Sequence, residues 1–200
     1  MSLYPILLFL HVLGAIVFFS SIGILLFGTL AIRWATTVEQ VRAILRPLIA
    51  GRTVGIEHVS VIDLVAIVGV LVTGTTGLYM GLTVWGWPRG WVQVAIVSFA
   101  LMAPVGPAVI NPRLHAIAKA AMQAPDGPIP ESLYGRIHDL VLGTGLQVLI
   151  AWLVGIVFLM TNKPSLGGSA LAILVALAIG LASGVLLRRG APQVRSPNSR

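Results

Sequence analysis

The sequence has no cysteine, which excludes disulfides, thiolate metal centres and cysteine nucleophiles. It is also poor in charge. Only 10% of its 200 residues are Asp, Glu, Lys or Arg, while 57% are hydrophobic, a balance far outside the range of soluble domains. No phosphate-binding glycine loop, zinc-ligand spacing or nucleophile triad occurs. No RNA- or DNA-binding motif accompanies the net charge of +7, so nucleic acid is not an expected partner. What is present is a series of long apolar runs separated by short basic stretches.

Five of these runs are long enough (~20 residues) to cross the hydrocarbon core of a bilayer. They are residues 4–30, 59–83, 91–110, 138–160 and 169–187. The expected fold is therefore all-α: a polytopic transmembrane bundle of four helices with the fifth span added at its edge, forming one domain over residues 1–189. The first run is too long for a signal-peptide core, follows no basic residue and meets no small-residue cleavage site, so it is expected to stay as a span. The tail GAPQVRSPNSR, residues 190–200, has the composition of a disordered segment.

Basic residues set the expected orientation. Arg33, Arg42, Arg46 and Arg52 lie between spans one and two, Arg113, Lys119 and Arg136 between three and four, and Arg188, Arg189, Arg195 and Arg200 after span five. Only Arg89 and Lys163 fall on the other side. The positive-inside rule then puts the N-terminus outside and the C-terminus in the cytoplasm of a bacterial inner membrane, with the cytoplasmic cations facing anionic lipid headgroups. The outer turn WGWPRGW carries Trp85, Trp87 and Trp91, which suit the headgroup level. Between spans one and two, Thr36 and Glu39 stand at capping-box spacing. Val38, Val41, Leu45 and Leu48 repeat at helical period behind them, which predicts a short helix on the cytoplasmic membrane surface, disrupted at Pro47. Pro104, Pro107 and Pro112 predict a kinked third span.

Small residues let helices approach closely in lipid, so their stripes predict inward faces. On span one Gly14, Ser21 and Gly28 repeat every seven residues and His11 shares their stripe. On span two Asp63, Ala66, Gly74, Gly77 and Gly81 share a face, and His58 projects away from it. On span four Arg136, Gly143, Gln147 and Ala151 share a face with Asp139 at its margin, so this side is expected to point inward. His138, with Leu142, Leu149 and Trp152, is expected to face lipid or the headgroups.

An ionisable group inside a span is a functional candidate by default. His11, in LLFLHVLGAIVF, is the first. It is either a neutral imidazole bonded to a Ser or Thr of a neighbouring helix, or a ligand for a metal or a b-type haem. Counted from the outer end it lies about 10 Å deep, whereas His58, His115 and His138 fall near the cytoplasmic face, about 15–20 Å out of register for a bis-histidine haem. Met80 and Met102 are the outer or central alternatives. Asp63, Arg136, Asp139 and Gln147 form a candidate intramembrane polar network. Arg136 or Arg113 is the expected partner of Asp63, and Arg136 that of Asp139. His115 is expected among lipid phosphates beside Arg113 and Lys119. Three classes of function follow: a haem or redox protein using His11, a non-enzymatic transporter or small-solute permease with a polar path at Asp63, Arg136 and Gln147, or a structural membrane subunit. Whether the chain is an enzyme is left open by these residues.

LHVLGAIVFFSSIGILLFG resembles the first helix of a group of bacterial membrane proteins that includes the HemJ-type protoporphyrinogen oxidases, the CopD-like copper-resistance domains and uncharacterised relatives. VRAILRPLIAG is similar to the Arg-rich segment before their second helix. YGRIHDLVLGTGLQVLIAWLVGIVFLMTNKP is similar to the fourth helix of the HemJ type, with Asp139 at the acidic position and a Lys-Pro exit. The resemblance covers spans one to four and implies a haem-associated role for His11. The third helix, GWVQVAIVSFALMAPVGP, lacks the lysine and histidine of the HemJ type, which brings the uncharacterised relatives nearest.

Overall fold

The computed structural model describes residues 3–49 and 60–189, with side chains assigned except at 49 and 187–189. His58, Arg52 and the 190–200 tail lie outside the described residues. Within them the chain is helical, and five stretches are long and apolar enough to cross a membrane: Tyr4–Arg33, Val61–Trp85, Gly90–Gln123, Glu131–Asn162 and Leu166–Leu186. The helices are α1 (Tyr4–Arg33), α2 (Val38–Ile49), α3 (Val61–Met80), α4 (Gly90–Met102), α5 (Asn111–Gln123), α6 (Glu131–Ile137), α7 (Leu140–Asn162) and α8 (Leu166–Arg189). They form an all-α bundle in which α1 packs chiefly on α3, and α7 chiefly on α8. One end carries Trp85, Trp87 and Trp91, and the other carries Arg33, Arg113 and Arg136; these are called the tryptophan end and the arginine end below.

Local chemistry explains where the helices start and stop. Pro5 opens α1 in its first turn, where a missing N–H costs nothing. Ser60 and Asp63 close a full capping box on α3. Asp139 caps α7 by accepting from the Val141 amide at 2.8 Å. At the tryptophan end α3 runs into a π turn, Gly81–Trp85, closed by the Gly86 amide on the Gly81 carbonyl at 3.0 Å. Gly86 follows at φ 86°, a conformation only glycine adopts cheaply. The prolines of the third span act as expected. The helix breaks after Met102 and restarts through a second π turn, Gly106–Ile110, before continuing as α5.

Three expectations are corrected. The third span does not stop at residue 110 but continues to Gln123, and its 34 residues span about 51 Å, well beyond a ~30 Å hydrocarbon core. The excess, with α2 and α6, extends the core of the bundle at the arginine end, where Ile32, Val41, Leu45, Ile117 and Ile137 are buried. Second, α2 turns its apolar stripe onto this core rather than onto a membrane surface: Val38, Val41, Leu45 and Leu48 are all buried in protein. Its cap is also one residue later than the spacing suggested. The Gln40 amide donates to Thr37 Oγ1 at 3.4 Å and Gln40 Oε1 accepts from the Thr36 amide at 2.8 Å, while Pro47 stays within the helix. Glu39 instead accepts from the Gly127 amide at 2.9 Å. Its own amide, the Thr37 hydroxyl and that contact hold its carboxyl below the usual carboxylate range. Arg42 straps the same loop down by donating to the Ala121 carbonyl at 2.8 Å, to the Ala124 carbonyl and to Asp126.

Third, the inward face of span four is reversed. Leu142, Leu146, Leu149, Leu153 and Leu159 point into the bundle and are buried. Most of the small-residue side packs on α8 instead, although Gly143 meets the Arg33 guanidinium of α1. A Cβ at Gly180 would lie 2.6 Å from the Val148 Cα, one at Gly184 2.8 Å from the Thr144 Cα, and one at Gly155 2.9 Å from the Ala176 Cβ. Small residues mark the closest helix crossing, and here that crossing is with the added helix. Leucine fills the wider interior, where dispersion contacts with several helices replace contacts with lipid.

The α1–α3 crossing is equally close. A Cβ at Gly69 would lie 2.8 Å from the Phe18 amide nitrogen and 3.1 Å from the Gly14 carbonyl oxygen, and one at Gly14 2.7 Å from Thr73 Oγ1. This contact brings His11 onto α3.

Candidate functional site

His11 is half-buried and its ring sits in the notch left by Gly77, where a Cβ would come within 2.8 Å of Cε1. Its Nδ1 is 3.0 Å from the Thr73 carbonyl oxygen and 3.3 Å from Thr76 Oγ1. A carbonyl only accepts, so Nδ1 carries the proton and donates. The Thr76 hydroxyl proton is committed to the Val72 carbonyl at 2.5 Å, so Thr76 also acts as acceptor. The tautomer that follows leaves Nε2 as the nitrogen with a free lone pair. A backbone carbonyl on one ring nitrogen is the arrangement that orients a ligating histidine and raises its basicity.

His11 lines a cavity of about 310 Å³ enclosed by α1, α3, α4 and α7, near the lower bound for cofactor pockets. The α3 glycines that form its wall face neighbouring helices: Gly74 meets Phe99, Gly77 meets His11 and Gly81 meets Val92. Along α4 the lining runs from Trp91 to Ala100, about 14 Å of helix. Phe18 and Phe99, both in its lining, meet edge to face at 6.3 Å. Trp85 and Trp91 stand at its tryptophan end with centroids 5.0 Å apart. The walls are otherwise aliphatic, and Met160 on α7 is the one thioether among them.

Sequence reasoning reached His11 and the glycines but not Met160, Trp91 or Thr73. Met160 follows Leu149, Leu153 and Ile156 at three- and four-residue steps, so choosing the leucine face of span four as the inward one would have found it. Met80 and Met102, the methionines weighed as partners, are buried at 0% and 1% exposure and neither lines the cavity.

The polar residues of the arginine end are held by separate partners. Asp63 accepts from the Ser60 amide at 3.0 Å and hydroxyl at 2.8 Å, and from Asn111 Nδ2 at 2.9 Å; no arginine reaches it among the described residues. Asp139 pairs with Arg113, Nε to Oδ2 at 3.0 Å, rather than with Arg136, and Arg33 donates to its backbone carbonyl at 3.3 Å. Arg136 is exposed on α6. Gln147 lines the groove between α7 and α8. Asp63, Arg136, Asp139 and Gln147 therefore do not meet in one network among the described residues. His138 lies at the break between α6 and α7, half-buried, stacked on Tyr134 at 4.0 Å with Nδ1 on the Tyr134 carbonyl at 3.0 Å. His115 makes the same type of local bond to the Asn111 carbonyl at 2.8 Å. No group of three or more His, Asp or Glu with metal-site spacing occurs among the described residues. No family model, curated protein or solved structure matches the chain.

Proposed function

We propose that this is a multi-pass protein of a bacterial inner membrane, N-terminus outside and C-terminus cytoplasmic, that binds a b-type haem in the cavity at His11. The observation that carries the reading is the fixed tautomer: the Thr73 carbonyl accepts the Nδ1–H hydrogen bond, N to O at 3.0 Å, leaving Nε2 available for coordination. The remaining lining fits such a group. Its walls are aliphatic and aromatic, and Met160 on α7 shares the cavity with His11, giving the imidazole–thioether donor pair that holds haem in some electron carriers. A haem bound there would supply one-electron redox chemistry. The protein's part is to hold and shield. Thr73 and Thr76 orient the imidazole, Gly77 gives the ring its space, and the Phe18–Phe99 pair forms part of the apolar wall.

The test is substitution at the ligand. Purified His11→Ala is expected to lose hemin binding, read as a Soret band, while keeping the far-ultraviolet helix signal of the parent. Retention of hemin with unchanged bands by His11→Ala would refute the assignment.

A further inference from the structure

The rim of the cavity carries a feature that an apolar pocket does not need. Lys163 is the only non-glycine residue at positive φ among the described residues, at φ 49° and ψ 52°. The left-handed conformation is costly for a side-chain-bearing residue, and the following Pro164 disfavours it further. Glycine is the usual residue at this helix-terminating position. Strain of this kind persists where the surrounding structure holds it, and it concentrates at ligand-binding sites.

The surroundings do hold it. Gly90 at the start of α4 meets the backbone of Leu166 at the start of α8, where a Cβ would come within 2.6 Å of its Cα. Nearby, Lys163 Nζ lies over the Trp91 indole, 5.8 Å from the ring centroid. Arg89 donates Nε to the Trp85 backbone carbonyl at 2.8 Å. Trp85 and Trp91 both line the cavity. Lys163, over the Trp91 ring, and Arg89, bonded to the Trp85 carbonyl, are the only Lys or Arg in the turns at this end of the bundle.

We infer that Lys163 and Arg89 are an anion-binding rim, and that the molecule in the cavity is an amphiphile whose apolar body reaches His11 while its carboxylates lie at the tryptophan end. On the haem reading, on which this inference rests, these are the carboxylates of the porphyrin edge. Lys163 acts as a point charge with three donors and Arg89 offers the planar fork of its terminal amino groups.

Titration of the full-length protein in detergent with hemin and with hemin dimethyl ester separates the two ideas. The parent is expected to bind hemin on the order of tenfold more tightly than the ester, the size of one charge-assisted contact. Lys163→Gln and Arg89→Gln should each reduce that preference, and the double variant remove it, by weakening hemin rather than the ester. Lys163→Gly should do the same while keeping or raising the thermal midpoint, because it relieves the left-handed backbone. Equal binding of hemin and ester by the parent, or a Lys163→Gln variant that weakens both alike, would overturn the rim while leaving His11 as a ligand. Failure of both porphyrins to bind would overturn the haem reading and the rim with it.

Discussion

The imidazole of His11 is bonded across the close α1–α3 crossing to the main chain at Thr73, Nδ1 to carbonyl oxygen at 3.0 Å. A side chain on α1 and a carbonyl on α3 thus depend on the glycines that let the two helices touch. Without that approach the ring would have room to turn, and its tautomer would no longer be fixed by the Thr73 carbonyl.

Gly69 and Gly77 should therefore separate two effects. Gly69→Ala puts a methyl 2.8 Å from the Phe18 amide nitrogen, against backbone that cannot give way, and is expected to cost about 1–3 kcal/mol by overpacking. Gly77→Ala meets the His11 ring instead, at 2.8 Å from Cε1, so it should shift the imidazole and lower hemin affinity with a smaller loss of stability. Thermal unfolding in detergent alongside hemin titration checks both. Equal loss of stability and of affinity in the two variants would show that the ring is not individually positioned.

At the arginine end, Asp139 has two duties that substitution can divide. Asp139→Ala removes the α7 cap, worth about 1 kcal/mol, and the Arg113 pair, whose side chains are about a third exposed at 36% and 33% and so adds only a few tenths of a kcal/mol. Asp139→Asn keeps a capping oxygen and should fall within about 0.5 kcal/mol of the parent. Unfolding midpoints of the two variants measure the difference. An Asn variant as unstable as the Ala variant would mean that the ion pair, not the cap, dominates.

Much of the fold was legible because span length and apolar composition are dictated by the bilayer. The stripe Gly14, Ser21 and Gly28 is buried as its period implied, and Gly77 and Gly81 do face neighbouring helices. Span four misled for a physical reason. Leucine is as comfortable in lipid as in a bundle core, so Leu142 and Leu149 carry no signal of direction, whereas the small residues beside them do mark an interface, that with α8. The arginine-end core was hidden for a related reason. An amphipathic helix such as α2 has the same sequence pattern whether its apolar stripe meets lipid or α5. The site was half legible: an ionisable residue in a span draws notice, but Thr73 acts through its backbone carbonyl, which no side-chain pattern announces.

The proposed orientation rests on the split of the basic residues and is open to direct test. Reporter fusions after residue 50 and residue 125 should read as cytoplasmic, and those at residue 88 and residue 165 as external. A reversed pair would put the Trp85–Trp91 rim, and the cavity behind it, on the cytoplasmic side.

The central claim concerns what His11 Nε2 binds, and the visible spectrum of the protein tests it most directly. The parent, purified in detergent from haem-replete cells or titrated with hemin, is expected to show a Soret band saturating at about one equivalent and, on reduction, an α band. Both should be absent in His11→Ala. A parent protein that stays colourless and whose spectrum is only that of free hemin on titration would contradict the account, and would leave His11 as a polar residue satisfied by Thr73 and Thr76 alone.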